Sequence, residues 1–298
     1  MPVLPSPKTP VVTVGVPVYN GERYLPACLD SLLAQTFTDF TIIISDNAST
    51  DRTSEIAADY CRRDARVRYY RNPTNIGCPR NFGRVFDLAS TPYFRWASAD
   101  DQSAPEFLER CIEVLDRQPD VVQAYPRTLL IDGDGHVLRR YEDKMHAVGE
   151  RPSDRYIGVT ESIAFCNALY GVMRADVLRR TAMLGNYLGS DIPLQAELTL
   201  YGKIWEVPDY LLLRRMHQQA SSAMSHEDRA KHYDPSLAPW TTYSYWRHLW
   251  ERSRAVYRAP IGRSEKARLM RFLARTSIMN RNRFATELWT NARRLLRA

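Results

Sequence analysis

Two rhythms of apolar and polar positions alternate along this chain. Short β-branched runs, "VVTVGVPV" (11–18), "FTIII" (40–44), "VRYYR" (67–71) and "YFRWA" (93–97), read as buried strands. Between them the period changes to that of a helix. Leu25, Leu29, Leu32 and Leu33 fall on one face, with Pro26 tolerable in a first turn. Ile56, Ala57, Tyr60 and Cys61 do the same after the polar turn "SDNASTD", and "PRNFGRVFDLA" (79–89) reads as a third helix. With Pro105 at a first turn, Phe107, Leu108, Cys111, Ile112 and Leu115 form a further stripe. This alternation predicts an α/β fold with a largely parallel sheet.

The pattern is less regular afterwards. "VVQAY" and "TLLI" read as separate strands, and "DGDG" (132–135) as a hairpin turn toward "HVLRR". That turn reads as backbone geometry and not as a calcium loop, because the other EF-hand ligands are absent. From Tyr141 to Thr160 the chain reads as polar and irregular. A second set of elements is expected from Glu161 to His217, with a helix after Asp191 and the strand "KIWEVPD". "QQASSAMSHEDRAKHYDP" then has loop composition, and the last sixty residues are Arg-rich and helical in pattern, with Trp240, Trp246, Trp250 and Trp289 among the basic residues.

With 298 residues, 44% of them hydrophobic, the chain can fill a sizeable core. A net charge of +7 favours anionic partners. No recognised nucleic-acid motif accompanies that charge, so no nucleic-acid partner is expected. Five cysteines with no CxxC pair read as reduced thiols and a cytoplasmic location. The proline-rich start "MPVLPSPKTP" lacks an apolar core and reads as a flexible leader, and no window approaches a membrane span.

In open parallel sheets ligands bind beyond the carboxyl ends of the strands. Three polar clusters stand there: "PVYNGE", "SDNAST" and "SADDQS". A nucleotide suits such a crevice, yet neither GxGxxG nor GxxxxGK[ST] occurs, so something else must neutralise its phosphates. Asp100 and Asp101 offer a route, since one or two carboxylates plus diphosphate oxygens hold magnesium or manganese. The alternative for the pair is charge complementing a helix start.

Taken together, "VTVGVPVYNGERYLPACLDSLLAQTFTDFTIIISDNASTD", "NIGCPRNFG" and "WASADD" resemble the family 2 glycosyltransferases of the GT-A fold. The resemblance covers Val11 to Asp132, extends with less density to His217, and stops near Gln218. It implies a GT-A type, Rossmann-like, mostly parallel sheet flanked by helices. It also implies an inverting enzyme that uses a nucleoside diphosphate sugar with Mn2+ or Mg2+. Carried over, Pro17, Tyr19 and Asn20 line the base pocket and Asp46 accepts hydrogen bonds from the base. Asp100 lies near the ribose or shares the metal, Asp101 is the direct metal ligand, and Arg80 approaches the diphosphate. Ser98 replaces the first carboxylate of the family's fuller acidic motif. "YLGSDIPLQAELTLYGKIWEVPDYLLLRRMH" resembles the family's later acidic region, which makes Asp191 the general base and His217 a third metal ligand or a diphosphate contact. Without the resemblance, Asp191 reads as a helix cap and His217 as polar surface. Arg214 and Arg215 read either as diphosphate contacts or as a solvated edge.

The expected organisation is a leader (1–9), a GT-A domain (10–218) with nucleotide-binding (10–132) and acceptor-binding (133–218) halves, and a lid loop with a C-terminal helical extension (219–298). Three readings of the extension stand side by side. It packs an aromatic and leucine face on the core with its arginines solvated, it places a basic face on an anionic membrane, peripherally at the inner side, or it builds an acceptor pocket or an oligomer contact. Donors of UDP, TDP or GDP type fit Asp46. The acceptor, whether glycan, lipid-linked or small molecule, is not specified. The rival functions are a non-catalytic nucleotide-sugar-binding module and a sugar nucleotidyltransferase, whose Gly-rich triphosphate loop "VPVYNGERY" does not supply.

Overall fold

The computed structural model describes residues 10–218, 224, 228, 229, 233 and 244–295. The leader, Trp240 and most of the expected lid loop lie outside the described residues.

Four strands and three helices alternate at the start: β1 (Val12–Val18), α1 (Leu25–Leu33), β2 (Phe40–Asp46), α2 (Thr53–Arg63), β3 (Val67–Arg71), α3 (Cys78–Asp87) and β4 (Tyr93–Trp96). They are followed by β5 (Gln102–Ser103), α4 (Phe107–Arg117), β6 (Val121–Ile131), β7 (Val137–Tyr141), α5 (Pro152–Ser162), a 3-10 turn (Asn167–Tyr170), β8 (Val172–Arg174), α6 (Ala175–Leu178), α7 (Asp191–Leu198) and β9 (Lys203–Arg215). The described C-terminal helices are α8 (Ser244–Arg258), α9 (Arg263–Met279) and α10 (Arg281–Leu295).

One sheet runs through both expected halves in the order β3-β2-β1-β4-β8-β6-β9-β5, with β7 paired to β6. β1, β2, β3 and β4 are parallel, as are β6 and β9, while β8 runs antiparallel between β4 and β6. Every residue of β1 and β2 is buried, as parallel strands covered on both faces require. α3 lies so close to β1 that a Cβ on Gly15 would stand 2.8 Å from Phe94 and 2.9 Å from Val85. Because these strands are parallel, the polar clusters after β1, β2 and β4 emerge at the same edge of the sheet.

The structure departs from the periodicity reading in five places. "VVQAYPRTLLI" is one strand, and β9 continues six residues past "KIWEVPD" to Arg215. Both run through a proline, and the β6–β9 register slips where those prolines sit, from Pro126↔Val207 to Arg127↔Tyr210. The irregularity accommodates residues that cannot donate to the ladder. Pro152–Ser162, most of it within the Tyr141 to Thr160 segment read as irregular, is a helix that buries Ser153, Arg155, Tyr156 and Val159. A short strand, β5, separates Asp101 from α4, so Pro105 precedes the helix instead of opening it.

The last departure concerns the extension. Ala255, Val256, Ala259, Leu269 and Leu273 pack on Tyr156, Ala196 and Leu200 of α5 and α7 and the turn after α7. The leucine face docks as expected. The aromatic face does not, since Trp250 and Trp289 are 59% and 60% exposed.

Candidate functional site

The loops after β1 and β2 are zipped together. Asn20, at φ 51°, takes the left-handed turn that asparagine tolerates. Its N–H donates to Ser49 Oγ at 2.9 Å and its Oδ1 accepts from the Thr50 N–H at 2.8 Å. Tyr19 beside it is 42% exposed, whereas Pro17 is buried within β1. Asp46, the last residue of β2, has no exposed surface. Its Oδ2 accepts from Tyr69 Oη at 2.7 Å and Arg71 Nη1 at 2.9 Å, and its Oδ1 from the Ser49 N–H at 2.8 Å. In this arrangement Asp46 braces the loops after β1 and β2, where Tyr19, Asn20 and Arg71 reach solvent. Arg80 stands exposed in the first turn of α3.

The carboxylates after β4 meet the far end of β9. His217 Nε2 lies 2.9 Å from Asp100 Oδ2, and the Ser98 hydroxyl donates to Asp100 Oδ1. Burial favours the neutral form of Asp100, but the bonds from His217 and Ser98 outweigh it and hold the carboxyl below its ordinary range. Ser98 thus restrains the carboxylate beside it. Asp101 Oδ1 accepts from the Arg215 N–H at 2.8 Å, and its Oδ2 makes no hydrogen bond among the described residues. Burial, then the charge of Asp100, pushes Asp101 up to about 8. With only protein charges around them, Asp100 is ionised and Asp101 holds its proton near neutral pH, which is how two adjacent carboxylates are tolerated.

Oxygen donors from two carboxylates beside an imidazole suit a divalent ion of the manganese or magnesium kind. Asp101 Oδ2 is the unused donor. The donor atoms of Asp100, Asp101 and His217 do not all lie within 4.8 Å of one another. Among the described residues, the group that does come within 4.8 Å is Asp132, Asp134 and His136 on the β6–β7 turn. There Asp132 Oδ1 accepts the N–H groups of Asp134 and His136, each at 2.9 Å, so this is the backbone turn read from the sequence.

Arg214 and Arg215 are neither a solvated edge nor free diphosphate contacts. Arg215 is 4% exposed, its Nε donating to Asp100 O and its Nη1 to Asp132 O and Gly133 O, each at 2.9 Å. Arg214 Nη1 donates to Phe165 O at 3.0 Å and to Asn167 Oδ1. Both guanidiniums therefore pin backbone around the carboxylates while contributing positive charge near Asp101.

Asp191 opens α7. Burial raises its carboxyl above the ordinary range, against the opposing effect of its own and Ile192's N–H groups and of the Cys166 thiol. Cys166 sits at φ 58° ahead of the 3-10 turn. That turn is fastened from several sides. Ala168 N–H donates to Asp143 Oδ2 at 3.0 Å and Arg95 Nε to Tyr170 O at 3.0 Å, while a Cβ on Gly171 would lie 2.6 Å from Ala124 O. Cys78, in the first turn of α3, links the two acidic groups. Burial, then Asp191, then Asp100 raises its thiol to about 12, so it feels both the β4 carboxylate and the candidate base.

Three contributors were not legible as site residues in the sequence. Cys166 touches the base from 25 positions upstream. His248 Nε2 of α8 donates to Leu188 O at 2.9 Å and faces the Asp191 loop, so the C-terminal extension reaches the candidate site. Arg95, 1% exposed, feels the charge of Asp101 and is stacked 3.5 Å from the Phe107 ring centroid with Nη2 donating to Ser103 Oγ at 2.6 Å. Its only signal was a charged residue inside the apolar run "YFRWA".

Comparison with known proteins follows the same outline. The model of the family "Glycosyl transferase family 2" matches residues 13–176, more than half of the chain. An uncharacterized glycosyltransferase of Haemophilus influenzae is 25% identical over 227 residues, 73% of this chain and 69% of that protein. The uncharacterized glycosyltransferase EpsJ of Bacillus subtilis is 36% identical over 115 residues, but these are 38% of this chain and 33% of EpsJ, so the chain spans only a third of that relative. Among solved structures, S. aureus TarS in complex with UDP-GlcNAc superposes with a TM-score of 0.64 at 16% identity, covering 86% of this chain and 69% of that one. The mannosyltransferase PcManGT from Pyrobaculum calidifontis in complex with GDP-Man and Mn2+ does so with 0.51 at 16% identity, covering 99% and 90%. At such identities these two likenesses establish a shared fold.

Proposed function

The chain belongs to glycosyl transferase family 2 and is a glycosyltransferase, and we propose that it moves a sugar from a nucleoside diphosphate to an acceptor hydroxyl or amine by one inverting in-line displacement. The observation that carries this reading is the nearness of two acidic groups to one residue: the buried Cys78 thiol feels both Asp191, whose carboxyl burial raises, and Asp100, which sits beside Asp101 and bonds His217.

Each group then has a task. Tyr19, Asn20 and Pro17 shape the nucleoside wall, which Asp46 braces through Ser49, Tyr69 and Arg71. Arg80 is placed to approach the diphosphate from the first turn of α3. A divalent cation held by Asp100, Asp101 and His217 would offset the charge that builds on the departing diphosphate. Asp191 accepts the acceptor's proton as the acceptor oxygen or nitrogen bonds to the anomeric carbon and the bond from that carbon to the diphosphate oxygen breaks. A carboxylate raised by burial is a stronger base than one in water, and it retains the proton until the product leaves.

The solved complexes of fold relatives hold UDP-GlcNAc in one case and GDP-Man with Mn2+ in the other. They support a donor of UDP or GDP type, with TDP in the same chemical class. The acceptor-binding half is assigned to residues 133–218, because α7 and the Cys166 turn face the base from that side. Release of free nucleoside diphosphate from UDP-sugar or GDP-sugar, with Mn2+ and a mixed acceptor pool, tests the reading. Turnover lost in Asp191→Asn with donor binding retained supports it. A chain that binds donor but never releases diphosphate would instead be the binding module.

A further inference from the structure

The outward side of the C-terminal helices is built unlike a solvated helix face. On α8, Ala255, Val256 and Ala259 are each 1% exposed against the catalytic body. Trp246, Trp250 and Tyr257 recur at i, i+4 and i+11, and at about 100° per residue this aligns them on one stripe diametrically opposite the docked face. They are 42%, 59% and 84% exposed. Ile278 and Met279, at the end of α9, are 65% and 70% exposed. They lie at the same end of the helical hairpin as Trp246, whose ring meets Phe284 of α10 at 4.9 Å. Large apolar groups turned outward over several helices mark a surface that meets something other than water.

Charge selects what that is. From Ser244 onward the chain has fourteen Arg or Lys and three Glu, whereas the preceding 243 residues have 27 basic and 31 acidic side chains. The net positive charge of the whole protein is therefore entirely a property of this extension. Each of its three glutamates is engaged by a partner within the chain. Glu251 is 6% exposed and bound to Arg247 at 2.8 Å, Glu265 takes the Ser153 N–H at 2.9 Å, and Glu287 takes those of Tyr245 and Trp246.

We propose that this face docks the protein on an anionic phospholipid bilayer, with indole and aliphatic groups at the headgroup boundary and guanidiniums against lipid phosphates. Tryptophan and tyrosine favour that boundary because one part of the ring is apolar and the other polar, and each basic group near an anionic surface adds attraction. A second copy of the chain would bring like charges together on the same face. Nucleic acid would offer no apolar complement to Ile278 and Met279. α8 turns His248 toward the Asp191 loop on its inner side, so docking would hold the crevice beside the membrane. The docking itself does not depend on the transferase reading.

Co-sedimentation of the full chain with phosphatidylcholine vesicles, with and without phosphatidylglycerol, tests this without any activity assay. The wild type is expected to sediment with the anionic vesicles alone, to be released by salt, and to shift its tryptophan emission to the blue on binding. Trp250→Ala with Trp289→Ala, and separately Arg254→Glu with Arg271→Glu and Arg275→Glu, should each weaken sedimentation by about tenfold or more at unchanged melting temperature. All these side chains are exposed, so the folded body should persist. No sedimentation, equal sedimentation with neutral vesicles, binding of duplex DNA in place of vesicles, or a concentration-dependent dimer that shields the indoles would each overturn the proposal.

Discussion

His217 Nε2 and Asp100 Oδ2 stand 2.9 Å apart although 117 positions separate them in the chain. The contact closes the carboxylate loop of β4 against the end of β9, and it brings a histidine without a motif to the carboxylate pair. His217→Ala should weaken Mn2+-dependent binding of nucleoside diphosphate by about 10–100-fold, the range seen when groups around a metal are lost. Titration calorimetry with UDP and GDP at saturating Mn2+ checks this. Unchanged affinity would remove His217 from the site.

Asp101 carries a signed prediction for stability. Its folded pKa of about 8 lies above the ordinary 3.8, so the folded state holds this proton more tightly than the unfolded one. That contribution to stability is complete below the unfolded pKa and is lost as pH rises through the folded one. Metal-free wild type should therefore lose melting temperature between about pH 4 and about pH 8 more steeply than Asp101→Asn, and run parallel to it above that. The asparagine keeps the oxygen that accepts from the Arg215 N–H. Parallel melting curves for the two proteins would contradict the shift.

Asp191→Asn should lower kcat by about 10²–10⁴-fold, the usual weight of a general base, and leave donor affinity nearly unchanged. The acid limb of kcat should lie above the ordinary carboxylate range, because burial raises Asp191. The Cys166 thiol opposes that shift, so Cys166→Ala should move the limb to higher pH while Cys166→Ser leaves it in place. His248, Cys78, Tyr187 and Tyr233 also face this carboxylate, and the comparison holds them constant. Identical pH profiles for the two Cys166 variants would show that the thiol does not tune the base.

Gly171→Ala tests how far the Cys166 turn depends on close packing. A Cβ there would meet Ala124 O at 2.6 Å and Tyr125 Cβ at 2.7 Å. Overpacking of this kind costs about 1–3 kcal/mol, visible as a lowered melting temperature. An unaltered melt would mean that β6 and the turn move apart freely.

The first four strands were legible because two-sided burial writes β2 as "FTIIISD" and leaves the helices between strands with clear stripes. α5 was hidden because its buried face is made of Ser153, Arg155, Tyr156 and Val159, where Arg155 Nε bonds Thr199 O at 2.9 Å in place of apolar contact. β6 and β9 looked shorter because proline ordinarily stops a ladder, and here paired register slips absorb it. Around the crevice, the strand-end carboxylates announced themselves through position. Arg95, Cys166 and His248 did not, since their meaning comes from what lies across the fold: the Phe107 ring, the Asp191 carboxylate and the Leu188 carbonyl. Arg214 and Arg215 misled for the same reason, because a basic strand end looks alike whether it meets phosphate or, as here, backbone carbonyls.

The most direct test of the central claim is a thermal-shift panel of UDP, GDP and TDP, each with and without Mn2+, on wild type and Asp101→Asn. Ligand at a hundred times its Kd stabilises by about 2.7 kcal/mol. The predicted result is stabilisation of wild type by one diphosphate, dependent on Mn2+ and missing from Asp101→Asn. No shift with any diphosphate, or the same shift in the variant, would contradict the assignment of a metal-assisted nucleotide-sugar site to this crevice.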